Sequence, residues 1–263
     1  MNNTKIEWTD MTWNPLTGCY HGCAYCYARR IAERFAAKVP AVIKEAWNHE
    51  NATLILEKPY VYDGKFEPYP YGFLPTFHMH RLHDLEKVRE PKKIFVCSMA
   101  DLFGAWVPDW VIESVLEACR RSPQHKYLFL TKNPERYNTL ADNGVIRADD
   151  KNFWLGSTLT DARKAFFWSM ENHTFWSCEP LMEPWPEGCL NGESKCFPDW
   201  VILGAETGNR KNKVVPENIW IDNIVQRCAE MGVPVFMKDS LIPVVGEDGM
   251  KREFPEELND AAV

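Results

Sequence analysis

One pattern constrains the fold of this chain more than any other. Short, continuously apolar runs end in polar residues, and a helix-like stretch follows most of them. The runs lie near positions 13, 77, 95, 128, 155, 176, 202 and 236. Unbroken apolar character marks strands covered on both faces, as in Ile94-Phe95-Val96-Cys97-Ser98-Met99 and Trp200-Val201-Ile202-Leu203-Gly204-Ala205-Glu206. Helical spacing covers 27–39, with Ile31, Phe35 and Val39 on one face and Pro40 as the stop. It recurs at 110–120, 134–141, 161–170 and 216–231, where Gly232 ends the last helix. Strand–helix alternation predicts an α/β fold with a parallel sheet. Eight units predict a closed (β/α) barrel of the TIM type, a single domain over 1–263. Residues 41–75, rich in aromatics and prolines, read as an insertion over the barrel, and the connection from Pro180 to Asp199 shows no helix signal.

Three cysteines sit close together in Gly18-Cys19-Tyr20-His21-Gly22-Cys23-Ala24-Tyr25-Cys26, spaced Cys-x3-Cys-x2-Cys. Three thiolates on one loop can hold three irons of a [4Fe–4S] cluster and leave the fourth without a protein ligand. Gly18 and Gly22 let the backbone wrap closely around inorganic sulfide. A structural zinc site is the competing reading, but it wants a closed set of four Cys or His ligands, and no matching second pair follows. Chance clustering of small core cysteines is the other. Of the remaining six cysteines, Cys119 and Cys228 fall in helical stretches and Cys97 and Cys178 in strands, all as core residues. Cys189 and Cys196 flank a loop, where two thiols are too few for a closed site.

The formal net charge of −7 counts against a whole-surface footprint for gripping long nucleic acid, while Arg210-Lys211-Asn212-Lys213 is a candidate local basic patch and Lys87-Val88-Arg89 and Lys92-Lys93 read as solvated faces. No run of eighteen apolar residues and no apolar leader are present, so a cytoplasmic protein without a membrane span is expected. Nine cysteines in such a compartment are not a disulfide framework.

In parallel α/β barrels, chemistry sits at the C-terminal strand ends. Here those ends carry Ser98 and Asp101, Thr131 and Lys132, Ser157, Glu179, Glu206 with Arg210 beyond it, and Lys238. Any one of these could be a strand meeting water. Charged groups recurring at a buried mouth must instead be paired or bind something.

The cysteine loop, with Tyr25 before its last cysteine, resembles the signature of the radical S-adenosylmethionine (SAM) superfamily. That resemblance implies a [4Fe–4S] cluster held by Cys19, Cys23 and Cys26. It also implies SAM chelated by the open iron and cleaved by one electron to a 5′-deoxyadenosyl radical, with an electron donor of the flavodoxin or ferredoxin type. The superfamily more often uses a six-unit partial barrel, which is the alternative to eight. A closer set of motifs spans nearly the whole chain. It comprises Ile6-Glu7-Trp8-Thr9-Asp10, Thr12-Trp13-Asn14-Pro15, Ser98-Met99-Ala100-Asp101-Leu102-Phe103 and Leu130-Thr131-Lys132-Asn133-Pro134, then Ser177-Cys178-Glu179-Pro180-Leu181, Gly204-Ala205-Glu206-Thr207-Gly208 and Phe236-Met237-Lys238. Together they resemble the phage-associated three-Cys-motif branch of radical SAM proteins. Ala205 departs from the branch's Gly-Gly-Glu-Ser-Gly, while the carboxylate is kept.

The resemblance places Tyr25, Ser98, Asp101, Thr131, Lys132 and Ser157 around SAM. The later strand ends, Glu179 and Arg210, go to substrate, with Glu206 and Lys238 as acid or base. It implies hydrogen abstraction from an organic substrate, with a nucleobase, nucleotide or DNA as the candidate, and a separate partner protein. Radical modification of a peptide or partner protein is one alternative. A non-enzymatic binding module stabilised by zinc or a cluster is the other.

Overall fold

Seven of the apolar runs lie side by side as parallel strands of one sheet. A computed structural model describes residues 2–36, 53–161, 163–185, 196–208 and 210–259. The strands are β1 (Asn2–Asn3), β2 (Met11–Trp13), β3 (Leu16–Thr17), β4 (Leu54–Leu56), β5 (Val61–Tyr62), β6 (Lys65–Phe66) and β7 (Thr76–His78). They continue with β8 (Lys93–Val96), β9 (Lys126–Thr131), β10 (Phe153–Thr158), β11 (His173–Cys178), β12 (Trp200–Leu203) and β13 (Val235–Met237). The helices are α1 (Tyr27–Arg34), α2 (Asp109–Arg120), α3 (Glu135–Asp142), α4 (Asn218–Met231), α5 (Ile242–Val245) and α6 (Glu256–Asn259).

The main sheet runs β1-β2-β8-β9-β10-β11-β12-β13, with every neighbouring pair parallel except the short antiparallel β1 at one edge. It curls into a half-barrel and does not close, which corrects the expected eight-stranded TIM barrel. The run near 77 is the reason. β7 is three residues long and leads directly into a 3-10 turn at Met79–His83. It pairs with β3 and β4 in a separate small sheet. Seven parallel strands remain, and the edges at β1 and β13 do not pair with each other; residues 251–253 bond to β13 instead.

Two helix expectations also change. Residues 163–170 are not helical, because the Asp161 carboxylate accepts the Arg163 N–H in a local turn that competes with a helix. α1 stops at Arg34 and buries Ala28 and Ala32, while Ile31 and Phe35 are exposed. The expected end of that helix at Val39 and Pro40, part of the 41–75 segment, and Cys189 lie outside the described residues. The described part of that segment supplies β4 and the β5–β6 hairpin. Gly232 ends α4 in the left-handed conformation, as expected. Cys97, Cys119, Cys178 and Cys228 are buried, and Cys196 is half-buried.

Alternation along the strands divides the core. Ile94, Val96, Tyr127, Phe129, Phe153 and Leu155 point to the convex side and pack in one cluster with residues of α2 and α3. Trp176, Cys178, Val201, Leu203, Val235 and Met237 do the same with α4. The intervening residues, Phe95, Leu128, Trp154, Phe175, Trp200, Ile202 and Phe236, fill the concave side with Trp8. Trp200 sits among the rings of Trp8, Phe175, Phe236 and Phe254 at centroid distances of 6.3, 5.9, 6.2 and 5.3 Å. Such tilted and edge-on pairs add to what area burial alone contributes. This aromatic plug is the floor on which the site rests.

Gly156 leaves room in the plug for Phe175, whose ring a Cβ at Gly156 would meet at 2.2 Å. Gly156→Ala should therefore destabilise the fold by about 1–3 kcal/mol through overpacking. Urea unfolding midpoints measure this, and an unchanged midpoint would show that the plug tolerates the extra methyl.

Candidate functional site

The inward register continues beyond the plug and turns polar. On β9 and its extension it runs Leu128, Leu130, Lys132; on β10, Trp154, Gly156, Thr158; and on β11, Phe175, Ser177, Glu179. From β12 it reaches Glu206, and from β13 Lys238. Lys132, Thr158, Ser177, Glu179, Glu206 and Lys238 all line one cavity at the C-terminal strand ends, with Trp8, Phe95 and Leu130 also in its wall. Ser157 is one step out of phase. It is buried away from the cavity lining, and its hydroxyl accepts the Phe167 N–H at 2.9 Å. Thr158 and Ser177 were missed by the sequence reading, yet counting in twos from Trp154 and Phe175 finds them both.

The cysteine loop closes another wall of the same cavity. Cys19, Cys23, Tyr25 and Cys26 line it together with Ser98, Asp101 and Thr131. The loop is anchored where the Gly18 N–H donates to the Met99 carbonyl at 2.9 Å. Gly18 has φ +85, and a Cβ there would fall 2.3 Å from the Leu74 carbonyl oxygen, so only glycine fits.

Cys26 caps the N-terminus of α1, its sulfur accepting the Arg29 N–H at 3.3 Å. The His21 N–H points to the Cys19 sulfur at 3.5 Å. Backbone donors and a helix N-terminus both favour thiolates. Burial pushes the Cys19 thiol up to about 12, a cost that a bound cation would remove. Three soft sulfur donors on one wall match the ligand chemistry of an iron–sulfur cluster. Among the described residues, no group of three or more His, Cys, Asp or Glu side chains is gathered around a point that would hold a single metal ion.

Asp101 organises this wall. Its Oδ1 accepts the Thr131 hydroxyl at 2.7 Å and the Phe103 N–H at 3.1 Å. Its Oδ2 accepts the Lys132 N–H at 2.9 Å and meets His21 Nε2 at 2.7 Å. Burial alone would raise its pKa, but the His21 contact and these donors hold it below the usual carboxylate range. Asp101 and Thr131 are thus committed to each other, and the Ser98 hydroxyl donates to Asn14 Oδ1 at 3.2 Å. Lys132 carries no hydrogen bond or ion pair from its ammonium among the described residues, which leaves it available to an anion. His21, inside the cysteine loop, is the partner that sequence reading did not single out.

Across the cavity, Lys238 Nζ and Glu179 Oε2 are 2.9 Å apart. Burial works against the Lys238 charge, yet Glu179 raises its pKa overall. Gly204 lies between them just past β12, and a Cβ there would stand 3.1 Å from Glu179 Cγ and 3.2 Å from Lys238 Cδ. Glu206 is buried and held by Arg210 at 2.6 Å through both carboxylate oxygens. The Arg210 guanidinium keeps the Glu206 carboxyl below its ordinary range. Arg210 itself does not line the cavity. Gly208, at φ +94, lets the Arg30 guanidinium of α1 approach this loop, since a Cβ there would lie 2.7 Å from it.

A depressed folded-state pKa makes Asp101 and Glu206 stabilising above the unfolded value of about 4, and this is lost as pH falls through the folded value. Asp101→Asn should cost about 1–3 kcal/mol at pH 7, because an amide cannot accept from all four donors. It should also flatten the fall in stability below about pH 4. Urea unfolding from pH 7 to pH 3 reads both effects, and a parallel acid limb in wild type and variant would refute the second.

A family model described as "Protein of unknown function (DUF5131)" matches residues 3–241. Comparison with curated proteins finds no match, and comparison with solved structures finds none. The matched span runs from β1 past β13 and takes in the cysteine loop and every strand end around the cavity. The chain belongs to the DUF5131 family.

Proposed function

We propose that this cavity is the active site of a radical SAM enzyme, with Cys19, Cys23 and Cys26 as the ligands of a [4Fe–4S] cluster. The observation that carries the reading is the shared cavity. The three cysteines of the Cys-x3-Cys-x2-Cys loop face the same space as Lys132, Glu179, Glu206 and Lys238. When bound, the cluster and SAM together supply a one-electron reductive cleavage and hence a hydrogen-abstracting radical.

The chain's own residues divide the remaining work. Lys132, uncommitted and next to the cysteine wall, is suited to the SAM carboxylate. Asp101 positions this wall and does not bind SAM directly, because its oxygens are already occupied by protein donors. Tyr25 borders the space for the adenosyl group. Glu179 and Lys238 hold the substrate end, where either can hold or move a proton. Glu206 is fixed by Arg210 as a charged wall. The aromatic plug closes the floor and keeps water from a reactive intermediate.

The substrate is an organic molecule small enough for a cavity ringed by strand ends, with a nucleobase or nucleotide as the candidate. The reading also calls for an electron donor of the flavodoxin or ferredoxin type, a cytoplasmic setting and a separate partner protein. Among the described residues no helix is long and apolar enough to cross a membrane.

Anaerobic reconstitution tests the assignment. About four irons and matching sulfide per chain are expected, with 5′-deoxyadenosine formed from SAM and dithionite. Replacing Cys19, Cys23 and Cys26 together by alanine should abolish both. Stoichiometric zinc without SAM cleavage would instead establish a metal-stabilised binding module.

A further inference from the structure

Resting on the assignment of this cavity to substrate, we propose that its Glu179–Lys238 end binds the imide edge of a planar heterocycle, a carbonyl, N–H, carbonyl sequence of the kind a pyrimidinedione carries. The order of side chains across the sheet leads to this chemistry. Thr158 on β10 is the register partner of Ser177 on β11. Glu179 lies two residues beyond Ser177 on the same face. On its other side comes Gly204, just past β12, and Lys238 reaches over it from the end of β13 to meet Glu179, while Glu206, two residues further on, is occupied by Arg210. The carboxylate therefore has the Ser177 hydroxyl before it on its own strand and the Lys238 ammonium on its far side, with Thr158 one step back, level with Ser177. From Ser177 to Lys238 the wall reads hydroxyl, carboxylate, ammonium.

Two polar groups in this part of the wall lack protein partners. The Thr158 hydroxyl has none although the residue is 6% exposed, and the Trp8 indole N–H has none at 2%. A buried polar group without a partner costs stability, so a ligand that reaches either of them gains by pairing with it. The Ser177 hydroxyl stands 3.4 Å from Glu179 Oε1, too long for a good O–H···O bond, so that oxygen retains capacity for a ligand N–H.

With Lys238 donating, Glu179 accepting and the Ser177 hydroxyl turned to donate, the matching ligand edge is acceptor, donor, acceptor. A carboxylate ligand would be repelled by Glu179. An amidine edge either sets its N–H against the donating Lys238 ammonium or leaves the Ser177 hydroxyl without an acceptor. In an imide the carbonyl oxygen and adjacent nitrogen lie about 2.3 Å apart from their bond lengths. That spacing suits bonds running side by side from Lys238 and Glu179. Trp8 and Phe95, with centroids 4.8 Å apart, present aromatic surface to a flat ring.

The test is isothermal titration calorimetry of the anaerobically reconstituted, unreduced protein in the presence of SAM, using uridine, N3-methyluridine, cytidine and glutarimide. Uridine should bind saturably. N3-methylation should weaken it about tenfold or more by replacing the N–H that Glu179 accepts, and cytidine should lose a similar factor. Thr158→Val, close to isosteric, should weaken uridine several-fold. Binding of glutarimide as well as uridine identifies the imide edge alone as sufficient, and binding of uridine alone identifies a nucleoside ligand; both support the proposal. Failure of uridine and glutarimide to bind would overturn it, as would equal affinity for N3-methyluridine. The methylated ligand keeps that outcome readable even if a variant misfolds. Assaying 5′-deoxyadenosine in the same preparation separates the two assignments. SAM cleavage without imide binding overturns only the ligand class, and imide binding without cleavage overturns only the reaction.

Discussion

The carboxylate of Asp101 ties together three pieces of chain that are far apart in sequence. His21 comes from the cysteine loop, Thr131 and Lys132 from the end of β9, and Phe103 from the turn after β8. A buried charge is tolerated only when its donors replace water, and here both oxygens are filled. The turn that delivers it is itself unusual. Cys97 has φ +58, a left-handed conformation that non-glycine residues seldom adopt, and its carbonyl accepts the Ala100 N–H at 2.9 Å. That turn lifts residues 98–101 out of the strand direction and towards the cysteine loop. The geometry of the cysteine wall therefore depends on a carboxylate that need never touch a ligand.

Much of the fold is legible in the sequence because the strands are covered on both faces. Unbroken apolar runs located the seven parallel strands of the sheet, and α2, α3 and α4 fall where helical spacing put them. The errors come from features that local pattern does not carry. The run at β7 is apolar, but its pairing with β3 and β4 rather than with the main sheet is a matter of tertiary partners. For α1, apolar spacing picked Ile31 and Phe35, whereas the small residues Ala28 and Ala32 face Met99, because close approach of that helix favours small side chains. A segment such as 163–170 holds adjacent aromatics whose burial is set by the neighbouring strand, not by helical period.

For the site, residue type was readable and direction was only half used. Polar strand ends pointed to Lys132, Glu179, Glu206 and Lys238, and all four line the cavity. Ser157 and Thr158 are both polar at the end of one strand, so residue type alone does not tell them apart. The period of two, counted from the buried Trp154, separates them. Arg210 shows the opposite limit. Its proximity in sequence to Glu206 reflects pairing with that carboxylate and not a place in the lining. His21 was hidden because a histidine between cysteines reads first as a metal ligand, and its contact with Asp101 spans eighty residues.

Sorting the polar groups by commitment gives the cavity a direction. Near the cysteines, Asp101, Thr131 and Ser98 are spent on holding the wall, and the one uncommitted charge among the described residues there is the Lys132 ammonium. At the opposite end, Gly204 has no side chain to keep two long ones apart, and Glu179 and Lys238 meet over it. Their pair leaves spare donors and a spare carboxylate oxygen near the Ser177 hydroxyl, with the orphaned Thr158 hydroxyl level with Ser177. An ion pair that existed only for stability would gain little from such a setting, since partly buried pairs repay their desolvation only when their remaining hydrogen-bonding capacity is met. Capacity left unmet at one end of a cavity, opposite a lone cation beside three thiols, is the arrangement expected where two different ligands must lie end to end.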